Sequence, residues 1–214
     1  MPPMKQLIDL STWNRREHFE FFSAFNEPFF GVVAEVDGAR AYQRAKAANE
    51  SFFQHYLHAA LRAVNQVEAL RYRIEDGQVY LYEQINVSAT LTRADNTFAF
   101  SFIPYAERLA DFTVGLRQEM EAVAASTGLR LSDSAARPDV IHFSALPWIA
   151  FTGLTHARHF AHPDSVPKIS VGRYRREGEK LLMPVAVNVH HGLADGYHVG
   201  LFLEAFQREL DGLS

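Results

Sequence analysis

The 214-residue chain contains no cysteine. That excludes disulfides, zinc sites built on thiolates and any reaction routed through an acyl-cysteine. No apolar run approaches the roughly 20 residues of a membrane helix, and Met1-Pro2-Pro3-Met4-Lys5 lacks the apolar core of a secretion signal. The expected location is the cytoplasm. Positive charge is not in excess: 21 Lys and Arg against 25 Asp and Glu leave a formal charge of -4, which argues against a general nucleic-acid binder while leaving local basic patches open. A glycine-rich phosphate loop, an internal repeat and a linker are all missing. With 48% hydrophobic and 21% charged residues, the chain is expected to form one globular domain over residues 1–214 with ample core.

Periodicity gives a mixed set of elements. Ser11 or Thr12 is placed to cap a helix running to about residue 25. Val32 to Val36 reads as a strand closed by Asp37-Gly38. Ala39 to Ala48 and Ser51 to Gln66 read as helices, the second with Phe52, Phe53, Tyr56, Leu57, Ala60, Leu61 and Val64 on its buried side. Arg71–Ile74 and Gln78–Tyr82 flank Glu75-Asp76-Gly77 as a hairpin, and Ile85–Arg93 and Thr97–Ile103 flank Ala94-Asp95-Asn96 as another antiparallel pair. Residues 107–125 are helical and 126–138 the least regular stretch. Strands are expected at 140–145, 168–176 and 180–189. The predicted class is α/β, an α+β two-layer sandwich with a mixed, largely antiparallel sheet packed against helices, not a doubly wound nucleotide fold. Pro184 cannot donate to a ladder, so an edge or a bulge is expected there.

The most informative stretch is Asn188-Val189-His190-His191-Gly192-Leu193-Ala194-Asp195-Gly196-Tyr197-His198. Leu181 to Val187 before it is nearly continuous in apolar residues, as in a strand covered on both faces. Val199, Phe202, Phe206, Leu210 and Leu213 after it recur at helical spacing. Asp195-Gly196 is then the turn and helix start. Adjacent strand residues point to opposite faces, so only one of His190 and His191 can look into a given cavity.

His-His-x-x-x-Asp-Gly followed by Tyr-His, about twenty residues from the end, resembles the active-site signature of the trimeric, acetyl-CoA-dependent chloramphenicol acetyltransferases. The shorter His-x-x-x-Asp-Gly is shared across CoA-dependent acyltransferases and peptide-synthetase condensation domains. Three further segments agree in order: Trp13 to Phe22 resembles the family's N-terminal helix, Phe143-Ser144-Ala145-Leu146-Pro147-Trp148 its serine-bearing strand, and Lys168-Ile169-Ser170-Val171-Gly172-Arg173-Tyr174 with Glu177-Gly178 the strand and turn before the histidine strand. The resemblance covers essentially the whole chain.

The resemblance implies a CoA-dependent acyltransferase-like fold, a homotrimer, acetyl-CoA as co-substrate, chloramphenicol as acceptor and no metal. It assigns His191 as the general base. A neutral imidazole suits the task of taking a proton from a hydroxyl that is barely acidic at neutral pH. Ser144 is implied as the oxyanion donor, and no Gly-x-Ser-x-Gly elbow supports it as a nucleophile. Asp195 is implied to pair with Arg15, although a relay member or a helix cap would use the same residue, and Arg16 stands beside Arg15. Ser170 falls where the family commonly has a threonine that holds an active-site water. Phe22, Phe30 and Phe98 match the acceptor pocket, and Trp148, Arg173 and Tyr174 the CoA channel, where an aromatic can stack on adenine and a cation meet phosphate. His156 departs from a commonly pocket-facing leucine, in the histidine-rich run 156–162.

Each residue has a plainer reading: a packed strand-end histidine, a backbone-bonded strand serine, a solvated helix arginine, core phenylalanines. His190 and His198 are expected to pack or hydrogen-bond. Three other functions remain on the sequence: the same chemistry on another acceptor, a metal-dependent hydrolase using His190, His191, Asp195 and His198, and a binding protein that only sequesters drug.

Overall fold

The computed structural model describes residues 3–131, 137–159 and 164–213. Among them the chain runs β1 (Lys5–Leu7), α1 (Arg16–Ser23), β2 (Phe29–Asp37), α2 (Ala39–Ala47), α3 (Phe52–Gln66), a 3-10 turn (Glu68–Leu70), β3 (Tyr72–Glu75), β4 (Gln78–Tyr82), β5 (Asn86–Thr92) and β6 (Phe98–Phe100). Then come α4 (Leu109–Ala124), β7 (Val140–Leu146), β8 (Lys168–Gly172), β9 (Arg175–Glu177), β10 (Lys180–His190) and α5 (Gly196–Asp211). The main sheet has the order β2-β10-β8-β7-β5-β6, with β9 also on β10, and β1-β4-β3 forms a small second sheet. Pairing is antiparallel except between β5 and β7 and between β7 and β8.

Register explains the layering. One row across the main sheet reads Ala89, Phe143, Ile169, Val187, Val32, and the next reads Ser88, His142, Lys168, Asn188, Gly31. Successive strand residues point to opposite faces, so the sheet has an apolar side and a polar side. The apolar side meets the helices, with the Phe143 ring 6.3 Å from Tyr56 of α3 and Leu57, Leu61, Val199, Phe202 and Phe206 in the same buried cluster. The polar side carries the candidate site.

Five local expectations change. Neither Ser11 nor Thr12 caps α1: their hydroxyls bond to Asp9, and the helix starts at Arg16 after Arg15 and ends at Ser23. The 168–176 strand is split, because Arg173-Tyr174 separates β8 from β9. That break lies opposite Pro184. Leu181 directs its backbone to Asp37 and Gly38 beside β2, so by alternation the nitrogen of Pro184 faces the gap between β8 and β9, where no donor is required. Helix α3 is buried on more than one side: His55 bonds Glu50 and His58 bonds the Ala106 carbonyl. Leu213 lies past the left-handed Gly212 that ends α5, and is exposed. Of the irregular stretch 126–138, residues 132–136 lie outside the described residues, as does His162.

Candidate active site

The turn between β10 and α5 is tied from several directions. Asp195 caps α5, its Oδ1 accepting from the Tyr197 N–H at 3.0 Å. His198 Nδ1 lies 2.8 Å from the same oxygen and 3.3 Å from the Asp195 backbone nitrogen, which closes a capping box around the helix start. Arg15 Nη1 donates to Asp195 Oδ2 at 2.6 Å, and its Nη2 donates to the His191 carbonyl at 3.3 Å. Arg16 points away to Glu20. Burial alone would raise the Asp195 pKa, but the hydrogen bonds from Arg15 and His198 outweigh it and hold the carboxyl at about 2.

The two histidines part as alternation requires. His190 is buried, edge-on to Phe29 with ring centroids 5.7 Å apart, and its Nδ1 accepts from the Gly192 N–H at 3.2 Å. Burial, with a smaller push from Arg158, lowers its pKa to about 4. His191 lies just past the strand. Its ring stacks on Phe22 at 4.0 Å and tilts against Phe30 at 4.5 Å. Its Nδ1 is 3.3 Å from the Ala194 carbonyl. A carbonyl only accepts, so Nδ1 carries a proton, and Nε2 is the nitrogen left for other partners.

Ser144 stands elsewhere in the chain, on the polar sheet face. Its Oγ accepts from Thr90 Oγ1 at 3.1 Å, which leaves the serine proton free to donate outward. It lines a cavity of about 490 Å³ with Thr90, Phe98, Phe100, His142 and His156. Ser170, beside Ser144 in register, is fully buried and its Oγ has no hydrogen-bond partner. The candidates therefore fall into two groups. Phe22 and Phe30 accompany His191, whereas Phe98 and His156 accompany Ser144, and His191 does not line that cavity.

The channel candidates divide too. Arg173 lines a second cavity of about 430 Å³ with Glu35, Phe151, Arg175 and Pro184. Its N–H bonds the Ile149 carbonyl at 2.8 Å, next to Trp148, which is 65% exposed. Tyr174 turns to the helical side, 5.9 Å from the Tyr42 ring and 6.1 Å from Phe52. Among the described residues no three of His, Asp and Glu converge as metal ligands.

Sequence reasoning missed Thr90, His142, Phe100 and the ion pair of buried Lys168 with half-buried Asp164 in the Ser144 cavity. A signal existed in the alternation Asn86, Ser88, Thr90 on β5, His142, Ser144 on β7 and Lys168, Ser170 on β8. Without the register, those three polar rows could not be put on one face.

Comparison with known proteins gives first a fold and then a family. A probable dihydrolipoamide acetyltransferase from Listeria monocytogenes, 14% identical, superposes with a TM-score of 0.69 over 98% of this chain and 95% of its own, which shows a shared fold. A solved chloramphenicol acetyltransferase, 33% identical, superposes with a TM-score of 0.90 over 97% of this chain and all of its own. Chloramphenicol acetyltransferase 3 of Escherichia coli is 28% identical over 202 residues, 94% of each chain. Chloramphenicol acetyltransferase 2 of Haemophilus influenzae is 27% identical over 208 residues, 96% of this chain and 97% of its own. The chloramphenicol acetyltransferase family profile matches residues 4–207, and the chain belongs to that acyltransferase family.

Proposed function

We propose that this chain transfers acetyl from acetyl-CoA to the primary hydroxyl of chloramphenicol, a drug-resistance reaction, with His191 as the general base. The observation that carries the reading is the setting of the His191 ring: Nδ1 is committed to the Ala194 carbonyl and Phe22 and Phe30 fix the plane, which leaves Nε2 as the nitrogen available to a substrate. Nε2 takes the proton of the acceptor hydroxyl as its oxygen attacks the thioester carbonyl. Ser144, with Thr90 donating to it, gives its proton as a hydrogen bond to the oxyanion. When the C–S bond breaks, the proton held on His191 passes to the departing thiolate. No enzyme nucleophile is needed, in keeping with a chain that has no cysteine. Arg15 and Asp195 act by holding the turn.

The residues present suit a CoA thioester: exposed Trp148 offers an aromatic face, and Arg173 a cation for phosphate. Tyr174 would serve the channel from the other side of the strand. Phe22, Phe30, Phe98, His156 and Ser170 are assigned to the acceptor side. Because His191 and the Ser144 cavity share no lining residue within one chain, the working site is formed between copies in a homotrimer, His191 of one facing the cavity of the next. The exposed Phe21 and Phe25, packed with Phe22, support a covered apolar face there. The cytoplasm is the proposed location; no helix among the described residues is long and apolar enough to cross a membrane.

Thiol release from acetyl-CoA in the presence of a panel of phenicols tests the reading. Release that depends on a phenicol hydroxyl is expected. Release that is indifferent to the phenicol, or none, overturns it. A second reading keeps the chemistry on a different acceptor: His156 sets a buried, unpartnered imidazole nitrogen in the cavity, which a polar group on another hydroxylated molecule could also meet.

A further inference from the structure

Along the strands, the floor of the Ser144 cavity has two ends. At one, Thr90, Ser144 and Ser170 stand side by side. At the other, two residues back along each strand and so about 7 Å away, Ser88, His142 and Lys168 share a row. His156, Arg158 and Asp164 close around this second end.

The charged groups there are already satisfied. Lys168 is paired with Asp164 and bonds the Val166 carbonyl at 3.2 Å. Arg158 donates to Glu27 at 2.8 Å while lying 3.5 Å over the Phe29 ring. One imidazole nitrogen is not satisfied. His156 Nε2 is buried with no hydrogen-bond partner, and half-buried His142 lines the same cavity. Burial, reinforced by Lys168, lowers both pKa values, that of His142 to about 4. Each ring is therefore neutral at pH 7 and carries one N–H donor. A polar atom buried without a partner costs stability, and a cavity that retains one is shaped for a ligand that completes it.

Resting on the acetyl-transfer reading above, we propose that His142 and His156 are specificity residues that receive a planar group with two acceptor oxygens, a nitro or carboxylate group, at the end of the acceptor remote from the acylated hydroxyl. A phenyl ring without such a group leaves the buried His156 nitrogen unpaired, and a site that rejects a ligand in this way discriminates strongly.

The test uses three ligands with the same hydroxylated side chain: chloramphenicol, with its nitro group, and analogues carrying hydrogen or carboxylate in its place. Binding is measured by calorimetry and turnover by thiol release, on wild type, His156→Leu and His142→Phe. The hydrogen analogue should bind about tenfold more weakly than the better of the other two, the scale of one lost hydrogen bond. Which of those two binds tighter tells a dipolar from an anionic partner group. The preference should vanish in His156→Leu, with the Michaelis constant for acetyl-CoA unchanged. His142→Phe is the second reading, and the ligand series on wild type stands even where that variant does not fold. Equal binding of all three ligands to wild type, or a preference that survives in every folded variant, overturns the proposal. Calorimetry separates it from the activity: preferential binding without transfer sinks the acetyl-transfer reading alone, equal transfer to all three sinks the specificity alone, and no binding of any of them sinks both.

Discussion

The turn that carries His191 and the cavity that carries Ser144 are built on opposite principles. In the turn most polar groups are spent internally, Arg15 Nε excepted: Asp195 on Arg15, His198 and the α5 backbone, Arg15 on the His191 carbonyl, and His191 Nδ1 on Ala194. In the cavity His156, and beside it Ser170, each keep a buried polar atom without a partner, and Phe98, Phe100 and Phe143 add apolar lining. On the proposed function the difference separates two tasks. A base must be held in one tautomer and one orientation before substrate arrives, whereas an acceptor site must leave its hydrogen bonds for the ligand.

The largest effect that could break this comparison is on turnover. His191→Ala should lower kcat by roughly a hundred- to ten-thousandfold with little change in melting temperature, because the ring it removes lies past the strand end against Phe22. His190→Ala should do the reverse, costing stability while the folded fraction keeps most of its turnover, since that ring is buried beside Phe29. Ser144→Ala should fall between wild type and His191→Ala, with a loss of about a hundredfold or more. Near-normal turnover in His191→Ala, or a larger specific loss in folded His190→Ala, would assign the base to the wrong ring.

A smaller effect concerns stability of the turn. Arg15→Ala and Asp195→Ala should each cost about 2 kcal/mol, less than a fully buried pair because the Asp195 side chain is 29% exposed. The double variant should cost less than the sum of the two. Additive denaturation midpoints would mean that the pair does no structural work.

The smallest expected effect is on pH dependence. His190 and His142 are held near pKa 4, below the ordinary 6.5, so the unfolded chain binds their protons first and stability should fall as pH drops from about 6.5 towards 4. Asp195, held near 2 against an ordinary 3.8, extends the loss below pH 4. His190→Gln should flatten the upper limb, and thermal melts across pH 4–7 would show it. An unchanged limb would mean that His190 is not buried neutral.

How much of this was legible in the chain depends on the range of the signal. Helices α2 to α5 and the hairpins around Asp76-Gly77 and Asp95-Asn96 are local patterns, and the periodicity located them to within a few residues. The start of α1 was not, because Ser11 and Thr12 spend their hydroxyls on Asp9 in place of the helix. The split at Arg173-Tyr174 answers to Pro184, on the neighbouring strand, which no window over residues 168–176 contains. In the site, the histidine turn is contiguous and stood out unaided. Arg15 and Asp195 lie 180 positions apart, and only the family pattern links them. Thr90, His142 and Lys168 were invisible for a third reason: their shared face follows from strand register, which alternation alone does not fix.

The account turns on bringing the two regions together between copies, and mixed oligomers test that most directly. His191→Ala chains keep the Ser144 cavity, and Ser144→Ala chains keep the base. Co-expressed at equal amounts and assembled at random into trimers, they should regain roughly a quarter of wild-type turnover, because the only intact sites pair His191 of one chain with Ser144 of the other. Turnover no greater than the average of the two parent variants would contradict it, and would place base and oxyanion donor within a single chain.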